Sequence, residues 1–427
     1  MSVQRFEVNS KFQVRINKDW AFSESRSIET HTHNYHRYPA KFIPQIVKKL
    51  IETYTTPGDT IADVFAGCGT TLVESKIHGR QSIGVDVNPV AQLITNAKIN
   101  PIRPSIIEAE FNNIKRLITN YDSKKKYYRK QHDRIDYWFR RWEKNKLSFL
   151  YKHILNVQDS RAQIFLLCAM SNILKNCSRW LQDSTKPQVD PNKKIADPFE
   201  SFIAQTEKMI KRNAAFYQEL KEENLLGVNC KIKLADARRT RIKSESISTI
   251  ITSPPYVTSY EYADIHQLTG YWFEYISDIS NFRKQFIGTF HSGAGNTLDA
   301  PSLIARNSVK KLERKEKRVA KEVSNYFNDM HKVAKEMKRI LTNDGVACLV
   351  IGNTKLRDVR IRTAQAFAEI LLNTGFEIED VIRRRIPNKQ IPPTRDKTTG
   401  KFTARGSVNS KKVYPDEFII VARKPAP

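Results

Sequence analysis

Ile250-Ile-Thr-Ser-Pro-Pro-Tyr256 sets a hydroxyl, two prolines and an aromatic ring directly after an apolar run. Pro254 and Pro255 fix the backbone and supply no amide hydrogens. The carbonyls of Ser253 and Pro254 are thereby released from strand pairing and become acceptors. A side-chain oxygen, a rigid carbonyl and a ring are together what an exocyclic amino group on a flat base needs. Ser253 and the Pro254 carbonyl can hold the two amino protons, Pro255 stiffens the turn, and Tyr256 can stack on the base. A base in a duplex reaches such a pocket only by flipping out, which costs a few kcal/mol. A plain proline turn would use the same residues, so a second run has to decide.

That run is Asp63-Val-Phe-Ala-Gly-Cys-Gly-Thr-Thr71. Gly67 and Gly69 let the backbone turn tightly and approach a ligand closely. The third glycine of a dinucleotide fingerprint is missing, and no Gly-Lys-Ser/Thr of a P-loop follows. Asp86 ends the next apolar run, in Ile83-Gly-Val-Asp-Val-Asn-Pro89, where a carboxylate can bind both ribose hydroxyls of an adenosine ligand. Asp236 ends a third, in Leu234-Ala-Asp-Ala237, and could accept from an adenine amino group. Either acid alone is more often a helix cap or a surface residue. Three such features at strand ends converge on one crevice and favour an adenosine cofactor. With no lysine-bearing phosphate cradle, S-adenosyl-L-methionine fits better than a nucleotide phosphate. The expected contacts are Asp63, Phe65, Ala66, Gly67, Cys68, Gly69, Thr70 and Thr71 from the loop, then Asp86, Asn88, Asp236 and Ala237.

The reaction that follows is direct methyl transfer to an amino nitrogen. Its lone pair is delocalised into the ring, and acceptors at Ser253 and Pro254 favour the pyramidal geometry needed for attack. Serine is a poor base, so Ser253 orients. Methylation at cytosine carbon 5 would need a nucleophilic cysteine. None of Cys68, Cys168, Cys177, Cys230 or Cys348 follows a proline in such a loop. His31, His33 and His36 cluster without partner cysteines, so no metal is expected.

These residues need a scaffold. A helical apolar spacing over 43–54, a short apolar run to Phe65, helical character to Ile77 and a run over 81–85 give strand, helix, strand at βαβ spacing, hence a parallel sheet. Strand patterns return at 231–234, 248–251, 344–352, 376–382 and 417–422. Helices are expected over 265–282, 309–341 and 364–374. The catalytic α/β unit is therefore split, 1–90 and 230–427, around a mostly helical insertion at 91–229.

Charge points to the partner. Lysine and arginine number 72 against 45 acids, for a net +27 in 427 residues. Such a surplus suits a polyanion, most often nucleic acid, although a lysine-rich bias could also produce it. The start of the chain has no apolar signal-peptide core and no apolar run is long enough to cross a bilayer, which is consistent with a cytoplasmic protein. Residues 383–412 carry ten basic residues against one acid and read as a loop between the last two strands. Arg383, Arg384, Arg385, Lys389 and Arg395 are its expected phosphate contacts, with Lys124, Lys125 and Lys126 in the insertion. The polar stretch 179–194 could be a mobile loop facing nucleic acid. Trp138, Phe139 and Trp142 are expected in the core, and 310–318 as an exposed helix.

Phe65-Ala-Gly-Cys-Gly-Thr-Thr71 with Ser253-Pro-Pro-Tyr256 resembles the amino-methylating DNA methyltransferases, which modify adenine N6 or cytosine N4. Tyr326-Phe-Asn-Asp-Met330, Lys338-Arg-Ile-Leu341, Val350-Ile-Gly-Asn353 and the stretch from Tyr256 to Leu268 are similar to the family as well. His36-Arg-Tyr-Pro-Ala-Lys-Phe-Ile-Pro44 looks like the family segment that closes over the methionine end of the cofactor, which adds Tyr38 and Lys41 to its contacts. The resemblance implies a Rossmann-like seven-stranded sheet, glycine loop and tetrad on adjacent central strands, and double-stranded DNA as substrate. It also implies a bacterial or archaeal restriction–modification setting, with a separately encoded restriction endonuclease as a candidate partner. A serine at the first tetrad position is the family's tendency for cytosine N4; adenine N6 and an RNA base amino group are the alternatives. In one known motif order the target-recognition region lies just before the tetrad strand, whereas here the insertion falls earlier.

Overall fold

The computed structural model describes residues 5–6, 12–13, 15–16, 20, 22, 30–128, 132–184, 186–257, 262–287, 298–386, 394–396, 410–412 and 416–427. Seven strands form the main sheet: β1 (Thr60–Asp63), β2 (Gln81–Asp86), β3 (Cys230–Leu234), β4 (Ile247–Thr252), β5 (Leu341–Ile351), β6 (Glu377–Arg385) and β7 (Asp416–Arg423). They lie in the order β3-β2-β1-β4-β5-β7-β6. Only β7 runs antiparallel to its neighbours, β5 and β6. A two-residue strand, Arg15–Ile16, pairs parallel with β6 and extends the sheet to eight. Strand order reverses between β1 and β4, and crevices at such switch points are where α/β sheets bind ligands.

The period-two burial of β5 explains why both sheet faces are covered. Ala347, Leu349 and Ile351 join a core with α9 (Leu303–Glu313), α10 (Lys317–Ile340) and α11 (Thr363–Asn373). Val346, Cys348 and Val350 face α1 (Pro44–Tyr54), whose Ile46, Val47, Leu50 and Ile51 are fully buried. Each such side chain contributes about 1.5–3 kcal/mol of burial.

α2 (Thr70–Ile77) and α3 (Pro89–Ile99) follow β1 and β2. The chain then builds α4 (Pro104–Thr119), α5 (Asp133–Trp138), α6 (Arg141–Leu155), α7 (Ser160–Ile173) and α8 (Pro198–Glu222) before returning to β3. Asp159 and Asp197 cap α7 and α8 by accepting backbone amides, which fixes where these helices begin. Phe216 and Leu220 of α8 pack with Leu72, Val73 and Ile232, so its last turns bring the chain back onto the sheet. A second core joins α4–α8 to α3 and to Leu268, Tyr271 and Trp272 beyond the tetrad.

Several expectations need correction. The helix expected over 265–282 is three short ones, Tyr262–Ile265, Gln267–Trp272 and Ile279–Arg283. The side chain of Ile276 folds to within 2.2 Å of where a Cβ on Gly270 would stand, so the chain turns back there. The helix expected over 309–341 breaks after Glu313 and pairs α9 against α10. Trp138 and Phe139 are core, but Trp142 is 63% exposed because it lies on the outer face of α6. Of the stretch 179–194, described apart from residue 185, Trp180 is buried and bridges Val189, and Lys193 Nζ donates 2.7 Å bonds to the carbonyls of Lys175 and Trp180.

Candidate active site

One cleft, about 850 Å³ including its open mouth, lies at the carboxyl ends of β1, β2 and β4. Its lining includes Tyr38, Lys41, Asp63, Phe65, Ala66, Gly67, Cys68, Thr70, Asp86, Asp236, Ala237, Ser253 and Pro255. The glycine loop, both acidic strand ends and, from the tetrad, Ser253 and Pro255 therefore meet in one place, with Pro254 and Tyr256 next to that lining in the chain.

Asp63 anchors the loop. Its buried carboxylate accepts from Thr252 Oγ1 at 2.6 Å, Thr71 Oγ1 at 2.7 Å and Phe65 N at 3.0 Å, tying β1 to β4 and α2. Burial raises its pKa, and these three hydrogen bonds oppose the rise. Gly69 has φ +77°, in the left-handed region, and a Cβ there would stand 2.6 Å from the Thr95 side chain. Thr95 Oγ1 donates to Gly67 O at 3.0 Å and Lys98 Nζ to Cys68 O at 2.8 Å. Thr95 and Lys98 stand three residues apart on α3, so one helix face holds two loop carbonyls. Sequence reading missed both; the trace was a Thr-x-x-Lys on the helix after the Asp86 strand.

Asp86 accepts from Gly67 N and Asn88 N, each at 2.9 Å. Desolvation is the main cause that pushes its carboxyl up to about 6. Asn88 does not line the cleft. It caps α3 through Val90 N and is fully buried. Its amide lies 2.7 Å from His266 Nδ1, so that nitrogen accepts, and burial holds His266 neutral with its pKa lowered to about 3. Gly69 and Thr71 likewise act behind the lining. Asp236 is gripped by the fork of Arg238, whose Nε lies 3.0 Å from both carboxylate oxygens. Arg238 also reaches buried Asp329 at 3.0 Å and the Gln285 carbonyl at 3.1 Å. The sequence reading did not include it.

The segment 30–42 covers this loop. Thr32 Oγ1 donates to Lys98 O, His33 Nε2 meets Glu74 at 2.7 Å and His36 Nε2 meets Ser171 Oγ at 2.9 Å. Tyr38 lies against Gly67 and its ring stacks on Tyr262, with centroids 5.9 Å apart. Lys41 Nζ donates to His33 O at 3.2 Å.

In the tetrad, Ser253 Oγ donates to Val350 O on β5 at 3.0 Å. With its proton committed there, the hydroxyl turns lone pairs to other donors. Pro254 is buried. Tyr256 lies over Gly352, where a Cβ would come within 2.8 Å of its ring, and its hydroxyl donates to Glu417 Oε2 at 2.8 Å.

The basic residues divide. Lys124, Lys125, Lys126 and Arg385 are exposed. Arg383 Nε donates to Asp416 Oδ2 at 3.0 Å. Arg384 is a correction: it is 1% exposed, donates to Trp20 O and pairs with Glu417, so no phosphate can reach it. Strand alternation turns it inward between Arg383 and Arg385. Lys389 lies outside the described residues. Arg395 stands on a strand, Thr394–Asp396, paired with Ser410–Lys412. Among the described residues, no cluster of three or more His, Cys, Asp or Glu could hold a metal, and no helix is long and apolar enough to cross a membrane.

A mostly parallel sheet with this strand order, a glycine loop after β1 and acids ending β2 and β3 define an S-adenosyl-L-methionine-dependent methyltransferase. The model of the N6/N4 DNA methylase family matches residues 2–97 and 247–427, most of the chain, and the protein belongs to that family. The unmatched stretch, 98–246, spans α4–α8 and β3. The chain is similar to the type II methyltransferase M.MvaI of Kocuria varians, 26% identical over 86% of this chain and 87% of that one. It is also similar to the type II methyltransferase M.MjaII of Methanocaldococcus jannaschii, 23% identical over 90% and 83%. A SAM-dependent methyltransferase of Methanosarcina mazei aligns over 92% of this chain and 100% of its own at 10% identity, with a TM-score of 0.33. The protein is thus a DNA methyltransferase of the amino-methylating class, with S-adenosyl-L-methionine as its methyl donor.

Proposed function

We propose that the enzyme methylates the exocyclic N4 of a cytosine flipped out of double-stranded DNA. The observation that carries this is the Ser253 hydroxyl, which donates to Val350 O and so faces the crevice as an acceptor. An amino group has two protons to give, and Ser253 Oγ and the Pro254 carbonyl would take one each. A serine in the first tetrad position favours cytosine, following the family tendency. Tyr256 would stack on the base, with Pro255 keeping the turn stiff.

The cleft suits the cofactor chemically. Asp86 would accept from the ribose hydroxyls, Asp236 and Ala237 would meet the adenine, and Phe65 to Cys68 with Thr70 would line its path. Tyr38 and Lys41 would close the methionine end, Asp63 would anchor the loop from within the lining, and Gly69, Thr71 and Asn88 would hold it from behind. When bound, S-adenosyl-L-methionine supplies a methyl group activated by its sulfonium. Holding both amino protons localises the nitrogen lone pair for attack. Ser253 keeps its own proton on Val350, so the amino proton leaves to solvent after transfer.

Residues 1–90 and 230–427 would form the catalytic unit, with 91–229 contributing target recognition. Lys124, Lys125, Lys126, Arg383, Arg385, Lys389 and Arg395 would meet phosphates. The relatives M.MvaI and M.MjaII are type II enzymes of a bacterium and an archaeon. They support a modification enzyme, which would act in the cytoplasm with a separately encoded endonuclease as a candidate partner. Incubation with tritiated S-adenosyl-L-methionine and either duplex DNA or RNA tests the substrate: label enters DNA, and label confined to RNA overturns the reading.

A further inference from the structure

A buried charged pair stands behind the tetrad tyrosine. Tyr256 Oη donates to Glu417 Oε2 at 2.8 Å. Glu417 pairs through its other oxygen with Arg384, and Arg384 Nε donates to Trp20 O at 2.7 Å. Arg384 and Glu417 are direct partners in the β6–β7 ladder, 1% and 8% exposed. Neither residue lines the cleft.

A buried ion pair is weak evidence for stability, because desolvating two charges costs about what their attraction returns. Here it has a geometric consequence. Gly352 leaves no room for a Cβ under the Tyr256 ring, which fixes one ring face and its rotation, and the phenol bond anchors the far end of the ring's long axis. A phenol donating to a carboxylate also carries more π density than a free one. Methyl transfer builds positive charge on the amino nitrogen and the attached base, and an electron-rich ring face attracts positive charge.

We infer that Glu417, held by Arg384, is a positioning residue for methyl transfer, acting through the Tyr256 hydroxyl on the orientation and electron density of the stacking ring. The inference rests on the tetrad being the site of transfer.

The test is a double-mutant cycle of Tyr256→Phe and Glu417→Gln in the full-length enzyme, with unmethylated genomic DNA as substrate. Single-turnover transfer, cofactor Kd and DNA KM are measured. Each single variant slows transfer by roughly 3- to 10-fold, about the net worth of one hydrogen bond, with cofactor Kd unchanged. The double variant is no slower than Tyr256→Phe alone. Independent, multiplying effects overturn the inference, as does wild-type transfer by either single variant. If Glu417→Gln does not fold, Arg384→Met with Glu417→Met removes both charges together. That variant binds cofactor and transfers at the Tyr256→Phe rate; wild-type transfer by it overturns the inference. A wild-type enzyme that binds cofactor yet labels no DNA would instead overturn the substrate reading and leave the coupling to be read from a ring-stacked base analogue bound in the crevice. Loss of coupling in that binding overturns the inference too.

Discussion

Replacing Ser253 by alanine removes an acceptor and leaves the Val350 carbonyl without its present donor. Transfer should fall by about 100-fold or more, the usual loss when one preorganised partner of a reacting group is deleted, while cofactor affinity holds. Single-turnover labelling beside calorimetric cofactor binding checks this, and normal methylation by Ser253→Ala would contradict the role given to the tetrad. Asp86 yields a second prediction. Its carboxyl is raised to about 6, so it is ionised above that pH and protonated below it. Ribose hydroxyls need an acceptor, so affinity for S-adenosyl-L-methionine should be level above pH 6 and fall by up to about tenfold per unit below it. Asp86→Asn should bind weakly with no such dependence, and a flat wild-type profile from pH 5 to 7 would count against Asp86 as the ribose ligand. Ser253, Asp86 and Gly67 were legible because their types and spacing are constrained by the chemistry. Lys98 and Glu417 were not, because each acts on a partner distant in the chain: Lys98 donates across 30 positions and Tyr256 reaches Glu417 across 161. Arg238 grips Asp236 two residues away, but its bond to the Gln285 carbonyl spans 47 positions.

At the scale of elements, α3 sets the glycine loop through Thr95 and Lys98. Lys98→Met should cost about 1–3 kcal/mol of stability, since Cys68 O would be left buried without its partner. Urea unfolding measures the loss, and cofactor affinity should weaken with it; an unchanged midpoint would mean that the loop is held without Lys98. Strand and helix positions were readable wherever apolar periodicity was strong, as in α1 and β5. The stretch 265–282 misled because its apolar spacing continues past Gly270, where Ile276 folds back. The arginine run 383–385 misled because charge suggested a loop, while β6 continues to Arg385 and its alternation buries the middle residue.

For the whole molecule, a charge of +27 is divided between surface and interior. Lys124, Lys125 and Lys126 are exposed on the connection between α4 and α5, and α5 packs against the helix Gln267–Trp272 beyond the tetrad. Changing the three lysines to alanine should weaken DNA binding and lower the salt slope by about 2–3, one counterion released per phosphate contact. Fluorescence anisotropy against salt concentration reads it, and an unchanged slope would leave those lysines as ordinary surface. The return of strands to the same sheet after α4–α8 was visible in the spacing of strand patterns. The seating of α4–α8 was not, because it depends on contacts between α3, α7 and the post-tetrad helix that no local pattern encodes.

The central claim concerns which atom receives the methyl group. Unmethylated duplex DNA treated with the enzyme and labelled S-adenosyl-L-methionine, digested to nucleosides and resolved by mass spectrometry, answers it directly. The account predicts label in N4-methyldeoxycytidine. Label in N6-methyldeoxyadenosine would contradict it, leaving the fold and cofactor site intact while showing that Ser253 presents its acceptor to adenine.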